Sequence, residues 1–424
     1  MKDPRKKRVA VAASGAALLL CLLAAGVIAQ YRTPAGAPGG RSGPEGAEAA
    51  GLMPDRLERI DAAVEAAIEQ GEAPGVVVLV GGRGGAMYFK AFGNRSVRPS
   101  REAMTRDTVF DVSSLTKVLA TAPSIMMLVE DGALRLGDRV NRYLPRFRDG
   151  GKGEITVRQL LTHHSGLPAG FDLSRPWFGF EAALGELWKI GAASKPDEKF
   201  VYSDLNFIAL GEIVRAVSGR ALDAFARERI FAPLGMADTG FCPDAAMASR
   251  IAPTETRRAT LEYLDGEGSG ASMDTMLRGE VHDPTAWRMG GVAGHAGLFS
   301  SAEDIAAYAR MLLNLGSHPG GRMLSPLTVR AMTSPQSPEG SPAIRGYGWD
   351  IRSEYTSPRG DILMEGYGHT GFTGTSLWIH PPSGTYIIIL ANRVHPGGGK
   401  SVNHLRGAVA NIVAGAIADC GDGL

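Results

Sequence analysis

The strand-forming segments of this chain fall into two groups, one near each end, with most of its length between them. Residues 75–80 are Gly-Val-Val-Val-Leu-Val and residues 86–92 are Ala-Met-Tyr-Phe-Lys-Ala-Phe, joined by a glycine-rich turn. Strand-like runs return only at 346–351, 374–379 and 386–392, and Pro382-Ser383-Gly384 makes the last two a hairpin. Between the groups, 114–231 reads as mostly helical and 232–290 as irregular and rich in Gly, Pro, Asp and Arg. Leu57, Ile60, Ala63, Val64 and Ile68 predict an amphipathic helix before the first strand. Ser300-Ser301-Ala302-Glu303 predicts a capping box opening a helix through Leu315, and 402–417 closes the chain as a helix. One discontinuous α+β unit satisfies this layout. Its two ends build a largely antiparallel sheet covered by helices, and 118–290 forms a helical lobe. A cavity is expected at the seam.

The folded unit is expected at 53–424. Lys2, Arg5, Lys6, Lys7 and Arg8 precede an uncharged run, 9–29. A signal peptide or signal anchor at 1–30 follows, since the run exceeds the roughly 7–15 residues of a cleaved core and approaches the roughly 20 that span a bilayer. The basic end stays inside and the rest is exported to the periplasm or the outer face of the cytoplasmic membrane. Residues 31–52 are rich in Gly, Pro and Ala and read as a flexible linker. A net charge of +1 gives no electrostatic case for nucleic-acid binding. Cys21, Cys242 and Cys420 are far apart, without metal-ligand spacing. A Cys242–Cys420 bridge stays open, and unpaired thiols fit the spacing better.

Three short segments carry chemistry. The first is Ser114-Leu115-Thr116-Lys117. A serine hydroxyl is a weak nucleophile and needs a base. If a helix starts here, Ser114 and Lys117 share a face. Burial would lower the lysine pKa and make it a base or proton relay. A serine N-cap with an exposed lysine is the alternative. The second is Tyr202-Ser203-Asp204, where a tyrosine beside a cation serves as a base. Its alternative is a buried tyrosine opening the next helix, with Ser203 or Asp204 as cap. The third is His369-Thr370-Gly371-Phe372-Thr373-Gly374 at the entry to the late hairpin. A strand edge with small residues admits a substrate backbone. The Phe372 N–H would join that of Ser114 as an oxyanion hole, each such donor worth about 3 kcal/mol in the transition state.

In this order the segments resemble the serine β-lactamase and penicillin-binding-protein superfamily, in its class C-like branch. The supporting stretches are 159–168, 202–211 and 290–300. The resemblance covers roughly 55–417 and implies a β-lactamase/transpeptidase-like fold. It also implies a cell-envelope hydrolase acting through an acyl-enzyme. Ser114, Lys117 and Tyr202 would be catalytic. Asp204, His369, Thr370, Gly371 and Phe372 would bind substrate. Peptidoglycan-derived D-Ala peptides, small esters or β-lactams are the substrates it implies, with no metal or organic cofactor. His369 replaces the lysine usual in the third motif, and Asp204 replaces an asparagine. Both shift the expectation towards peptides or esters and away from a dedicated β-lactamase. A catalytically idle peptidoglycan-binding or sensor protein is the reading from another class, which the intact serine, lysine and tyrosine oppose.

Other residues carry weaker signals. His164-Ser165-Gly166 reads as a helix stop, and Tyr263-Leu264-Asp265 lies in an irregular stretch. His295, between glycines, lines the site or braces a tight loop. His282-Asp283 lacks the further spaced ligands of a metal site. Trp287, Arg345 and Trp349 shape the cleft or pack. No G-x-S-x-G elbow exists for an α/β-hydrolase.

Overall fold

The structure is a computed structural model that describes residues 51–258, 274–355 and 357–418. The segment 1–30, most of the linker, Cys21, Tyr263-Leu264-Asp265 and Cys420 lie outside the described residues. Cys242 is exposed.

One eight-stranded antiparallel sheet joins the two ends of the chain. Its strands are β1 (Gly75–Gly82), β2 (Gly85–Ser96), β3 (Glu102–Ala103), β4 (Ile344–Arg345), β5 (Asp350–Arg352), β6 (Tyr367–Thr370), β7 (Ser376–His380) and β8 (Thr385–Ala391). They lie in the order β3-β2-β1-β8-β7-β6-β5-β4. The first and last long strands pair, with Val76 opposite Ala391 and Val80 opposite Ile387. β1 and β8 are buried throughout and largely apolar because both faces of the sheet are covered. Val76, Val78, Val80, Ile387 and Ile389 pack against α1 (Arg59–Glu69) and the C-terminal helix Asn403–Ala416. Val77, Leu79, Ile388 and Leu390 face the larger core beneath Ala302–Leu313 and the intervening helices. Strict alternation is the mark of a half-solvated sheet, and two-sided burial removes it.

Three local expectations are corrected. Residues 346–351 are not one strand, and only Asp350 and Ile351 of them lie in one, β5. Gly348, at φ +85°, turns the chain between the short strands β4 and β5. The helix expected through Leu315 ends at Leu313, and Leu315 has φ +51°. Ser301 caps that helix, its Oγ accepting the Asp304 N–H at 3.4 Å, but the box is not reciprocal. Asp304 turns instead to Thr239 Oγ1 and the Asp238 N–H.

A small sheet seats the first motif. Phe110–Asp111 and Gly240–Phe241 both pair with Leu298–Ser300. Val112 N–H donates to Leu298 O at 3.0 Å, and Leu298 N–H to Thr116 Oγ1 at 3.1 Å. The turn bearing Ser114 is thereby fixed beside the loop bearing His295.

Candidate active site

The chain at Ser114 is helical but not at first α-helical. A 3-10 turn, Ser113–Leu115, leads into a wider π-type turn, Lys117–Thr121, and then into α2 (Ala122–Glu130). A 3-10 turn eclipses residues three apart, which sets Lys117 behind Ser114. Lys117 is fully buried, so the exposed-lysine alternative fails. Its ammonium donates to Ser114 Oγ at 3.1 Å and to His295 O at 3.1 Å.

The strongest partner of Lys117 is Asp204, whose Oδ1 lies 2.8 Å from Nζ. Asp204 opens α3 (Asp204–Ser218), where a carboxylate also suits the positive end of the helix. This overturns the expected pKa direction for the lysine. Burial opposes the charge, but Asp204 and then Tyr202 outweigh it, and the Lys117 pKa lies above the ordinary lysine value. Lys117 is therefore held as an ammonium. The Asp204 departure from asparagine is what supplies its counter-ion. Ser203 occupies the cap position of α3, yet its hydroxyl donates to Pro168 O at 2.6 Å instead.

Tyr202 lies beside the same cation, with Lys117 Nζ 4.9 Å from its ring centroid. The ring of His163 packs against it as well, centroids 4.6 Å apart. The sequence reading did not single out His163, although it adjoins the helix stop at His164. Its Nδ1 accepts the Ser203 N–H at 3.0 Å, which pins the backbone next to Tyr202. Complete burial, then the charges of Arg345 and Lys117, hold the His163 pKa well below the usual value.

The third motif meets the first from the opposite wall. His369 lies on β6, almost wholly buried. Its Nδ1 donates to Thr370 O at 2.8 Å, leaving Nε2 as a bare acceptor. Burial, then Arg345 and Lys117, push its pKa well below the histidine range. His369 is neutral and does not replace the charge of a lysine. Gly371 is small for a reason other than substrate approach. A Cβ there would stand 2.1 Å from Thr375 Oγ1 and 2.6 Å from Val112 O. The glycine lets this turn pack on the backbone that precedes Ser114.

Phe372 N–H donates to Ser113 Oγ at 3.2 Å, so the expected oxyanion donor is engaged by the residue preceding the nucleophile. Ser113 adopts φ +50°, and Asp111 Oδ1 accepts its N–H at 2.8 Å. The exposed Phe372 ring stacks on His282, centroids 5.6 Å apart, with Arg393 4.5 Å from its centroid. These groups fix the turn rather than a metal. His282 Nε2 contacts Glu255 at 2.6 Å.

A cavity of about 260 Å3 opens at the seam. Ser114, Tyr202, Asp204, His369, Thr370 and Phe372 line it, while Gly371 and the fully buried Lys117 do not. Arg345, Asp350 and Tyr355 form further parts of the lining. Of these only Arg345 carried a signal, and a weak one. Trp349 packs in the core, and Trp287 lies against Arg257 away from this cavity. His295 braces a loop. It is buried, its Nε2 lies 2.9 Å from Asp283 Oδ1, and its carbonyl holds Lys117. Burial pushes the Asp283 carboxyl up, but His295 pulls it down to about 2. Ligand-type atoms of Asp204, Asp283 and His295 lie within 4.8 Å of one another. They are already engaged, Asp204 by Lys117 and Asp283 by His295, and an added cation would meet the ammonium.

A hydroxyl touching a buried ammonium, a tyrosine beside it and a strand edge opposite form a site for acyl transfer to serine. The β-lactamase family model matches residues 60–411. A protein of Escherichia coli K12 named "Putative D-alanyl-D-alanine carboxypeptidase" is 32% identical over 379 residues, covering 82% of this chain and 85% of that one. A penicillin-binding protein homologue from Caulobacter crescentus shares the fold, with TM-score 0.68, 21% identity and coverage of 86% and 99%. So does a D-amino acid amidase from Ochrobactrum anthropi, with TM-score 0.65, 22% identity and coverage of 85% and 99%. The chain belongs to the β-lactamase family, and it is a serine hydrolase of that family's fold.

Proposed function

We propose that the protein is an exported cell-envelope hydrolase that removes a terminal residue from D-Ala-type peptides through an acyl-enzyme on Ser114. The observation that carries this is the contact of Ser114 Oγ with a lysine held charged by Asp204. An ammonium that donates to Ser114 cannot also take its proton. Tyr202, acting as a phenolate beside that ammonium, is therefore the group that accepts the proton as Ser114 attacks and returns it to the leaving nitrogen. Lys117 stabilises the charge that develops on both oxygens. The N–H groups of Ser114 and Phe372 receive the oxyanion once the Ser113 hydroxyl turns away. Water then releases the acyl group. The similarity to the Escherichia coli protein supports the peptide class, and the basic, apolar start of the chain supports export.

Small esters are a second reading, favoured by the neutral His369, which demands no anionic group on the substrate. The same neutrality does not separate a peptidase from a β-lactamase, since the substrates of both carry a carboxylate. Initial rates on a p-nitrophenyl ester, an acyl-D-Ala-D-Ala peptide and a cephalosporin decide. Release of D-Ala with the highest kcat/KM supports the proposal. A cephalosporin turned over fastest overturns it.

A further inference from the structure

His163 grips the chain on both sides of Tyr202. Its carbonyl accepts the Val201 N–H at 3.1 Å, and its Nδ1 accepts the Ser203 N–H at 3.0 Å. Its ring centroid lies 4.6 Å from that of Tyr202 and 5.1 Å from that of Phe207, with Phe200 edge-on at 6.2 Å. One residue thus holds the tyrosine ring and both of its chain neighbours. His163 lies just past the helix Val157–Leu161 at φ +60°, a left-handed conformation unfavourable for a residue that carries a Cβ. Such a backbone persists only where its surroundings enforce it, and here carbonyl and ring reach the same three residues.

The tautomer follows from the neighbours. Ser165 Oγ donates to Asn206 Oδ1 at 2.5 Å, which turns the Asn206 amide nitrogen towards His163 Nδ1, 3.3 Å away. Nδ1 therefore accepts from two donors, and the ring proton resides on Nε2. Nε2 is fully buried and has no hydrogen-bond partner among the described residues. An unpaired buried donor is unfavourable, and an apolar side chain of similar size would avoid it. What the imidazole supplies in exchange is an acceptor for the backbone beside Tyr202. Lys117 Nζ and the rings of His369 and Tyr355 also face Tyr202, at 4.9, 6.0 and 5.5 Å from its centroid. None of these three side chains hydrogen-bonds the backbone on either side of it.

We propose that His163 is the positioning residue for Tyr202. As the neutral Nε2–H tautomer it fixes the phenol where its oxygen exchanges a proton with Ser114 and then with the leaving group. This rests on the reading of Tyr202 as the group that moves that proton. Proton transfer needs hydrogen-bond reach, and a misplacement of about 1 Å lowers a rate by about a hundredfold.

A leaving-group comparison tests this. An alkoxide departs only with a proton, whereas p-nitrophenolate departs without one. Values of kcat/KM are measured on the ethyl and p-nitrophenyl esters of one acyl group, for the full chain and for Tyr202→Phe, His163→Leu and His163→Asn. Asparagine tolerates positive φ and offers Oδ1 in place of Nδ1. The proposal predicts that His163→Leu loses about thirtyfold on the ethyl ester and at least about fivefold less on the p-nitrophenyl ester, the pattern of Tyr202→Phe. His163→Asn should recover most of the loss, and His163→Leu should add little to Tyr202→Phe. Equal losses on the two esters, or activity within about twofold of the unsubstituted chain on both, overturn the positioning role. If His163→Leu does not fold, 15N NMR of the unsubstituted protein decides, with the His163 signals assigned by their absence from His163→Asn. A protonated Nε2 and an accepting Nδ1 at neutral pH support the proposal, and a protonated Nδ1 overturns it. Full activity of Tyr202→Phe on both esters sinks the base reading. A leaving-group-dependent loss in Tyr202→Phe with none in His163→Leu sinks the positioning role alone.

Discussion

Replacing Asp204 with asparagine removes the counter-ion of a buried lysine while keeping its shape. Lys117 is fully buried, Asp204 is 34% exposed, and the contact is 2.8 Å. Breaking a wholly buried pair costs about 3–5 kcal/mol. Solvent at Asp204 screens part of that, and Lys117 keeps Ser114 Oγ and His295 O as acceptors. A loss of about 2–3 kcal/mol at neutral pH follows. The sign is fixed by the raised lysine pKa. The folded state binds this proton more tightly than the unfolded state does. The stabilisation is complete below the ordinary lysine pKa and is lost as pH rises through the folded one. In Asp204→Asn burial then prevails, and Lys117 gives up its proton at lower pH. Urea unfolding at pH 7 and the pH profile of kcat/KM on an ester read the two effects. The alkaline limb of the profile should move to lower pH in the variant. Unchanged stability together with an unmoved limb would refute the view that Asp204 holds the lysine charged.

Ser113→Ala frees the Phe372 N–H of a neutral hydrogen bond worth about 1 kcal/mol, so kcat/KM should rise up to about fivefold, and a tenfold fall would show that the hydroxyl assists catalysis. His163 and His369 stay neutral when folded but take protons when unfolded below about pH 6.5. Stability should therefore fall as pH drops below that value, by up to about 1.4 kcal/mol per pH unit for each, and His369→Gln should show a shallower fall in denaturant titrations at pH 7 and 5.5. An identical slope would mean that His369 does not stay neutral. Asp283→Asn loses a charge-assisted bond to His295 and should cost about 1–2 kcal/mol after allowance for its exposure. The wild-type contribution is present above the ordinary Asp pKa and is lost as pH falls through about 2, so variant and wild type should converge in strong acid.

The central strands β1, β2, β7 and β8 are legible in the sequence because they are largely apolar runs bounded by Gly and Pro, and the hairpin turn at Pro382-Ser383-Gly384 sets the β7–β8 pair. The two- and three-residue strands β3, β4 and β5 are too short to carry a pattern. Ser114 and Lys117 are legible because one turn of helix carries both. The Lys117–Asp204 pair is not, since it joins residues far apart in sequence whose meeting depends on how α3 docks. The sign of the lysine pKa was lost with it, because burial alone predicts the opposite direction. His369 presents a similar gap. Its residue type is plain, but its neutrality comes from burial and then from Arg345 and Lys117, which only the fold brings around it. The close approach at Gly371 is invisible for the same reason, since the atoms it avoids belong to Val112 and Thr375.

The nucleophile itself is the most direct point of attack. Incubation with a fluorophosphonate, followed by intact-mass measurement and peptide mapping, reports which hydroxyl is acylated or phosphonylated. A single adduct on the peptide containing Ser114, absent from Ser114→Ala and greatly slowed in Lys117→Ala, is the predicted result. An adduct of equal yield in Ser114→Ala, on Ser113 or elsewhere, would contradict it.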